Sequence, residues 1–163
     1  MVEDALASLA EIAITLAGFT GVVAAFRSRG STLREQLMRI TYVFLLCFIV
    51  IVSSYLPTII VSFSGTSNLV WQVPLTLLGV SAIGIFLHAT LQIIRSGITL
   101  RFPVLSYGML LGLFLIGLLC AFASFDLLPG SQPGYLLFAE VWFIVHAGWV
   151  FVTTLFWAQE TDE

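Results

Sequence analysis

The stretch Tyr42-Val43-Phe44-Leu45-Leu46-Cys47-Phe48-Ile49-Val50-Ile51-Val52 contains no charged residue, no amide side chain, no glycine and no proline. A strand of a transmembrane barrel would alternate polar and apolar positions with a period of two. An unbroken apolar run fits instead a helix whose whole circumference meets apolar surroundings. Met109 to Phe122 repeats the pattern. Both runs point to helices in a bilayer.

A helix needs about 20 largely apolar residues to cross a hydrocarbon core of about 30 Å. Five stretches reach that length: residues 5–26, 40–63, 69–95, 102–128 and 135–157. They take up most of the 163 residues, so a single transmembrane domain over 1–163 is expected, with no soluble domain attached. Hydrophobic residues make up 60% of the chain and charged ones only 9%, with a mean hydropathy of +1.09. Ordinary soluble domains carry about 25% charged residues. So much apolar surface cannot be hidden inside one small globule, whose exterior must be wetted. Soluble, disordered and nucleic-acid-binding classes are excluded on that ground. The expected fold class is all-α, a polytopic membrane bundle of five transmembrane helices in contact with lipid.

The breaks between spans carry turn chemistry: Ser64-Gly65-Thr66-Ser67-Asn68, Ser96-Gly97, and Pro129-Gly130-Ser131-Gln132-Pro133-Gly134. Glycine supplies positive φ and proline cannot continue a helix. Thr32 followed by Glu35 matches a capping box and starts the second helix near Leu33. The first span begins with Glu3 and Asp4 rather than a positive segment, so it reads as a retained span and not a cleaved signal.

Charge placement predicts the orientation. There is no lysine, and all six arginines lie in or at the edge of two connections: Arg27, Arg29, Arg34 and Arg39 at one, Arg95 and Arg101 at the other. With five spans, both connections fall on one side, which the positive-inside rule makes cytoplasmic. The N-terminus is then expected outside, and the acidic end Glu160-Thr161-Asp162-Glu163 on the cytoplasmic side.

Ionisable groups inside a span are costly and mark functional candidates. Five occur: Glu11, His88, Asp126, Glu140 and His146. The expected orientation puts Glu11 and Glu140 about 7–9 Å below the outer boundary. Asp126 lies within a turn of it. Such an acidic layer would concentrate cations. In the first span, Ser8, Glu11, Thr15 and Gly18 share one stripe with Asp4 and Val22 at about 100° per residue. A second stripe, Ala13, Ala17, Gly21 and Ala25, repeats a small residue every fourth position and lets backbones approach closely. The first helix is therefore expected to be enclosed on most of its circumference, with the polar stripe lining a cavity or axis. Glu140 joins Ser8, Glu11, Thr15 and Gly18 as a candidate pore or ion-binding residue.

His146, His88 and Asp126 are candidates for a polar network. Glu140 and His146 point about 120° apart on a helix, so they form no helical pair. Gly108 and Gly112 form a G-x-x-x-G that predicts a close crossing, and Pro57 and Pro74 predict bends. Pro57 releases the carbonyl of Ser53, four residues earlier. Trp71, Tyr135 and Trp157 stand where an interfacial aromatic belt would place them. Cys47 and Cys120 lie at depths of about 10 and 27 Å and read as free buried thiols. Neither metal-ligand spacing nor a nucleotide loop, zinc-protease or nucleophile-elbow motif is present. No enzyme, catalytic residue, metal or cofactor is expected.

The segment Ala10-Glu11-Ile12-Ala13-Ile14-Thr15-Leu16-Ala17-Gly18-Phe19-Thr20-Gly21-Val22-Val23-Ala24-Ala25-Phe26 resembles the first span of uncharacterised small multi-pass proteins of bacteria. The resemblance rests on the Glu, Gly-Phe and Thr-Gly positions and covers about the first quarter of the chain. It implies a bacterial inner-membrane location and no particular function. From the residues themselves, the expected function is a homo-oligomeric cation channel of parallel protomers with the first helix lining the axis. The alternative is a non-conducting accessory or scaffold subunit that binds another membrane protein.

Overall fold

The computed structural model describes residues 2–26, 33–65, 68–96 and 103–157. The chain is all-α, with α1 Val2–Phe26, α2 Leu33–Ser64, α3 Leu69–Ser96, α4 Pro103–Ser124 and α5 Gln132–Trp157. Each helix is long and apolar enough to cross a membrane. The exterior agrees with a lipid solvent. Phe48, Phe63, Val80, Ile94 and Val104 all stand exposed, where a water-soluble protein would place polar side chains.

Three boundaries depart from the sequence expectation by three residues or more, the first being the start of α1 at Val2 instead of residue 5. The fourth helix was expected to run to residue 128, but α4 ends at Ser124. Asp126 takes a positive φ of 56°, and its N–H donates to the Ala123 carbonyl while that of Leu127 reaches back to Phe122. Together these form a Schellman cap, which satisfies the last carbonyls without glycine. Asp126 is thus a turn residue and not part of a span. The fifth helix was expected from residue 135, but α5 starts at Gln132, because Pro133 sits in its first turn. A missing N–H costs nothing there. The Ser131 carbonyl accepts from the N–H groups of Gly134 and Tyr135, and the Tyr135 hydroxyl donates to the Pro129 carbonyl. At the other end, α2 starts at Leu33 as anticipated. The Thr32–Glu35 cap, the Arg27, Arg29, Arg34 and Arg101 side chains and the acidic tail lie outside the described residues.

Among the described residues, α5 packs against all four other helices, while α1 touches only α2 and α5. This reverses the expectation that the first helix is enclosed. Its small-residue side does pack: Ala13 is buried and Ala17 and Gly21 are partly covered, next to buried Leu6, Ala10 and Thr20. Ala25 stays exposed, and among the described residues the opposite face is largely uncovered. A helix at the edge of a five-helix bundle has only two partners to offer its surface to. The central helix is α5, whose Leu136, Ala139, Phe143 and Ala147 are fully buried.

Candidate functional site

Glu140 lies on the central helix with no exposed surface. Its two carboxylate oxygens accept hydrogen bonds from two neighbouring hydroxyls of α2. Ser53 Oγ donates to Oε1 and Ser54 Oγ to Oε2, each at 2.8 Å. Both serines are buried too. Consecutive serines usually point to different sides of a helix, about 100° apart. Here they straddle the carboxylate like a fork. Van der Waals packing around them is apolar, with Val50 on α2 and Phe143 on α5 fully buried.

A second polar contact ties the same helices together. Tyr42 Oη lies 3.3 Å from His146 Nε2, with the rings tilted and their centroids 5.9 Å apart. His146 is 3% exposed, and among the described residues its Nδ1 has no hydrogen-bond partner; the same holds for Trp142 Nε1. Glu140 and His146 point in different directions on α5, yet both are buried. Only the central position of α5, which leaves one apolar stripe of Phe138, Val141, Val145 and Val152 outside, allows this.

The other candidates lie apart from this cluster. Glu11 is exposed on the outer side of α1, together with Ser8, Thr15 and Gly18. The hydroxyls of Ser8 and Thr15 fold back onto the Asp4 and Glu11 carbonyls of their own helix. Ser8, Glu11 and Thr15 line an open groove of about 500 Å³, together with Ile12, Leu16, Phe19 and Phe151. No hydrogen bond joins Glu11 to Glu140 among the described residues. His88 is exposed on α3 and pairs with Gln92, one turn on. Asp126 is exposed and accepts from Gln132 Nε2 at 2.6 Å, which ties the end of α4 to the start of α5. The three proposed network members therefore do not meet.

Of the G-x-x-x-G pair, Gly112 receives the Trp142 indole: a Cβ there would collide with Cζ2 of the ring. Gly108 faces open space. The close crossing of α3 and α4 uses other glycines. A Cβ on Gly79 would lie 3.3 Å from the Gly117 carbonyl oxygen, and one on Gly117 would meet Ile83 at 2.7 Å and the Gly79 oxygen at 3.3 Å. Those two glycines, Tyr42 and the Ser54 hydroxyl escaped the sequence reading. The available signal was the Ser53-Ser54 pair, two small hydroxyls directly after the apolar run Tyr42–Val52. Cys47 and Cys120 are buried free thiols as expected.

Fold and site together define a polytopic helical membrane protein with a hydrogen-bonded carboxylate in its core. The chain matches no protein-family model, no curated protein and no solved structure.

Proposed function

We propose that the chain is the subunit of a homo-oligomeric cation channel, in which parallel copies turn the α1 stripe of Ser8, Glu11, Thr15 and Gly18 toward a shared polar axis. The observation that carries this reading is the exposure of Glu11 in the middle of a span. A carboxylate facing lipid is expensive, and such groups normally meet a bundle interior or a water-filled cavity. Among the described residues, one copy offers Glu11 only an open groove, because α1 packs against α2 and α5 alone. Copies related by a membrane-normal axis would supply them, and cyclic symmetry closes the interface. A path through a single copy is disfavoured by the packed core, where Leu46, Leu78, Leu113 and Phe143 are fully buried.

In this reading the N-terminus lies outside and the C-terminus in the cytoplasm, as the arginine bias requires. The bacterial inner membrane is the location that the first-span resemblance suggests. Rings of acidic side chains attract cations at the mouths of channels, and Glu11 provides that ring. The reaction is permeation, and no catalytic role is assigned.

Cation flux into liposomes containing purified protein tests the proposal. Wild type is expected to conduct and Glu11→Gln to lose most of the flux, while equal flux in both removes Glu11 from the mechanism. Native mass spectrometry adds the second criterion: a ring of three or more copies supports a pore and a monomer overturns it. A non-conducting accessory subunit is the competing reading, favoured by the apolar edge of the groove at Ile12, Leu16, Phe19 and Phe151, which suits a helix of another membrane protein. It predicts a monomer or dimer without a central aqueous path, no flux, and co-purification with that protein.

A further inference from the structure

The charge of an ionised Glu140 is not balanced by any group of the described residues, and the hydroxyl beside it faces two acceptors. A serine hydroxyl carries one hydrogen. Ser53 Oγ lies 2.8 Å from Glu140 Oε1 and 3.0 Å from the Val50 carbonyl oxygen. Both of those atoms are acceptors, and one hydrogen cannot serve both well. Ser54 is committed to Oε2. The carboxylate is also without a cation: among the described residues it makes no ion pair, and its hydrogen-bond partners are the two serines. From α4, the titratable group close enough to interact with it is the Cys120 thiol. On its own helix, His146 turns to Tyr42 of α2. On α1 and α3, Glu11 and His88 stand on the exterior. A bare charge in such surroundings would be very costly.

One additional hydrogen resolves every term. With a proton on Oε1, the acid O–H donates to Ser53 Oγ. The Ser53 hydrogen then goes to the Val50 carbonyl, and Ser54 still donates to Oε2. All acceptors are served and no net charge is buried. The donor–acceptor spacing of 2.8 Å at both oxygens is that of direct hydrogen bonds.

We propose that Glu140, Ser53 and Ser54 form a proton-binding site in the bundle core, whose occupancy holds α2 against α5. Removing the proton leaves a buried charge and a hydroxyl with two competing acceptors. Proton release is therefore tied to parting of the two helices and entry of water. Pro57 marks where α2 yields most easily. It has no N–H, so the Ser53 carbonyl lacks its usual helical donor, and in membrane transport proteins such freed carbonyls line ion sites. The site does not depend on the outward stripe of α1, so failure of the channel reading leaves it untouched.

Infrared spectroscopy of the full-length protein in lipid vesicles tests this directly. The expected result is the carbonyl stretch of a protonated carboxylic acid that shifts in heavy water and disappears in Glu140→Gln. In Ser53→Ala the same band should persist but move to higher frequency, because the acid loses its acceptor. An unchanged band in Glu140→Gln overturns the proposal. So does a band that sodium chloride abolishes at constant pH, which would make the occupant a metal ion. Should Glu140→Gln fail to fold, the serine variants decide, and an unshifted band in both Ser53→Ala and Ser54→Ala overturns it.

Discussion

Gly108 and Gly112 stand one turn apart on α4, and only one of them is in contact. A methyl group on Gly112 would enter the Trp142 indole, whereas Gly108 opens outward. Gly112→Leu should therefore lower stability by about 1–3 kcal/mol, the usual cost of overpacking, while Gly108→Ala should leave it unchanged. Thermal unfolding in detergent measures the difference. The Ser54 hydroxyl gives a second case at this scale. Ser54→Ala strips one acceptor of its donor in a dry core, at a cost of about 1–3 kcal/mol for the unsatisfied group. Tyr42→Phe should cost less, about 0.6 kcal/mol, the average for a hydrogen bond between membrane helices. Chemical unfolding of both variants beside wild type checks the order. Glu140 and His146 were recognisable in the sequence because ionisable groups stand out in apolar runs, and Ser53 only through the carbonyl that Pro57 releases. Their partners were not, since a helical repeat gives direction on its own axis and not the rotation of the neighbouring helix.

At the scale of the element, the connection between α4 and α5 shows which signals are local. Proline and glycine announced the turn, but the Schellman cap rests on Asp126, a residue that tolerates positive φ less often than glycine does. Asp126→Asn keeps both that tolerance and an acceptor for Gln132, and should be close to neutral. A β-branched side chain fits the left-handed region poorly, so Asp126→Val should lower stability by about 1–2 kcal/mol. Thermal melts of the pair give the comparison, and equal melting temperatures would contradict the cap. The start of α5 has the same logic. Pro133 reads as a breaker in isolation, yet the first turn of a helix accepts it because that N–H has no intrahelical partner.

For the whole molecule, the arrangement of neighbours decides what each stripe does. A stripe of small residues signals that something packs closely, and α1 does pack along Ala10 and Ala13. It cannot say how many neighbours there are. In a proposed ring of parallel copies, the outer side of α1 meets another copy. A cysteine placed at Thr15, in a background without Cys47 and Cys120, should then form cross-linked dimers in vesicles. A cysteine at Val104, 86% exposed on α4, should not. Gel mobility under oxidising conditions reads the result, and equal cross-linking at both positions would speak against α1 as the assembly face. The amino-acid sequence by itself determined that the chain is helical, that it has five spans and roughly where each lies, because hydrophobic length and turn chemistry are local properties. Only the tertiary structure decided that α5 and not α1 is central, that Glu140 is buried and Glu11 is outward, and that Ser53 and Ser54 meet the carboxylate. These depend on how helices far apart in the chain rotate and pack against one another, and a polar stripe such as that of α1 does not by itself say whether it turns into the bundle or away from it.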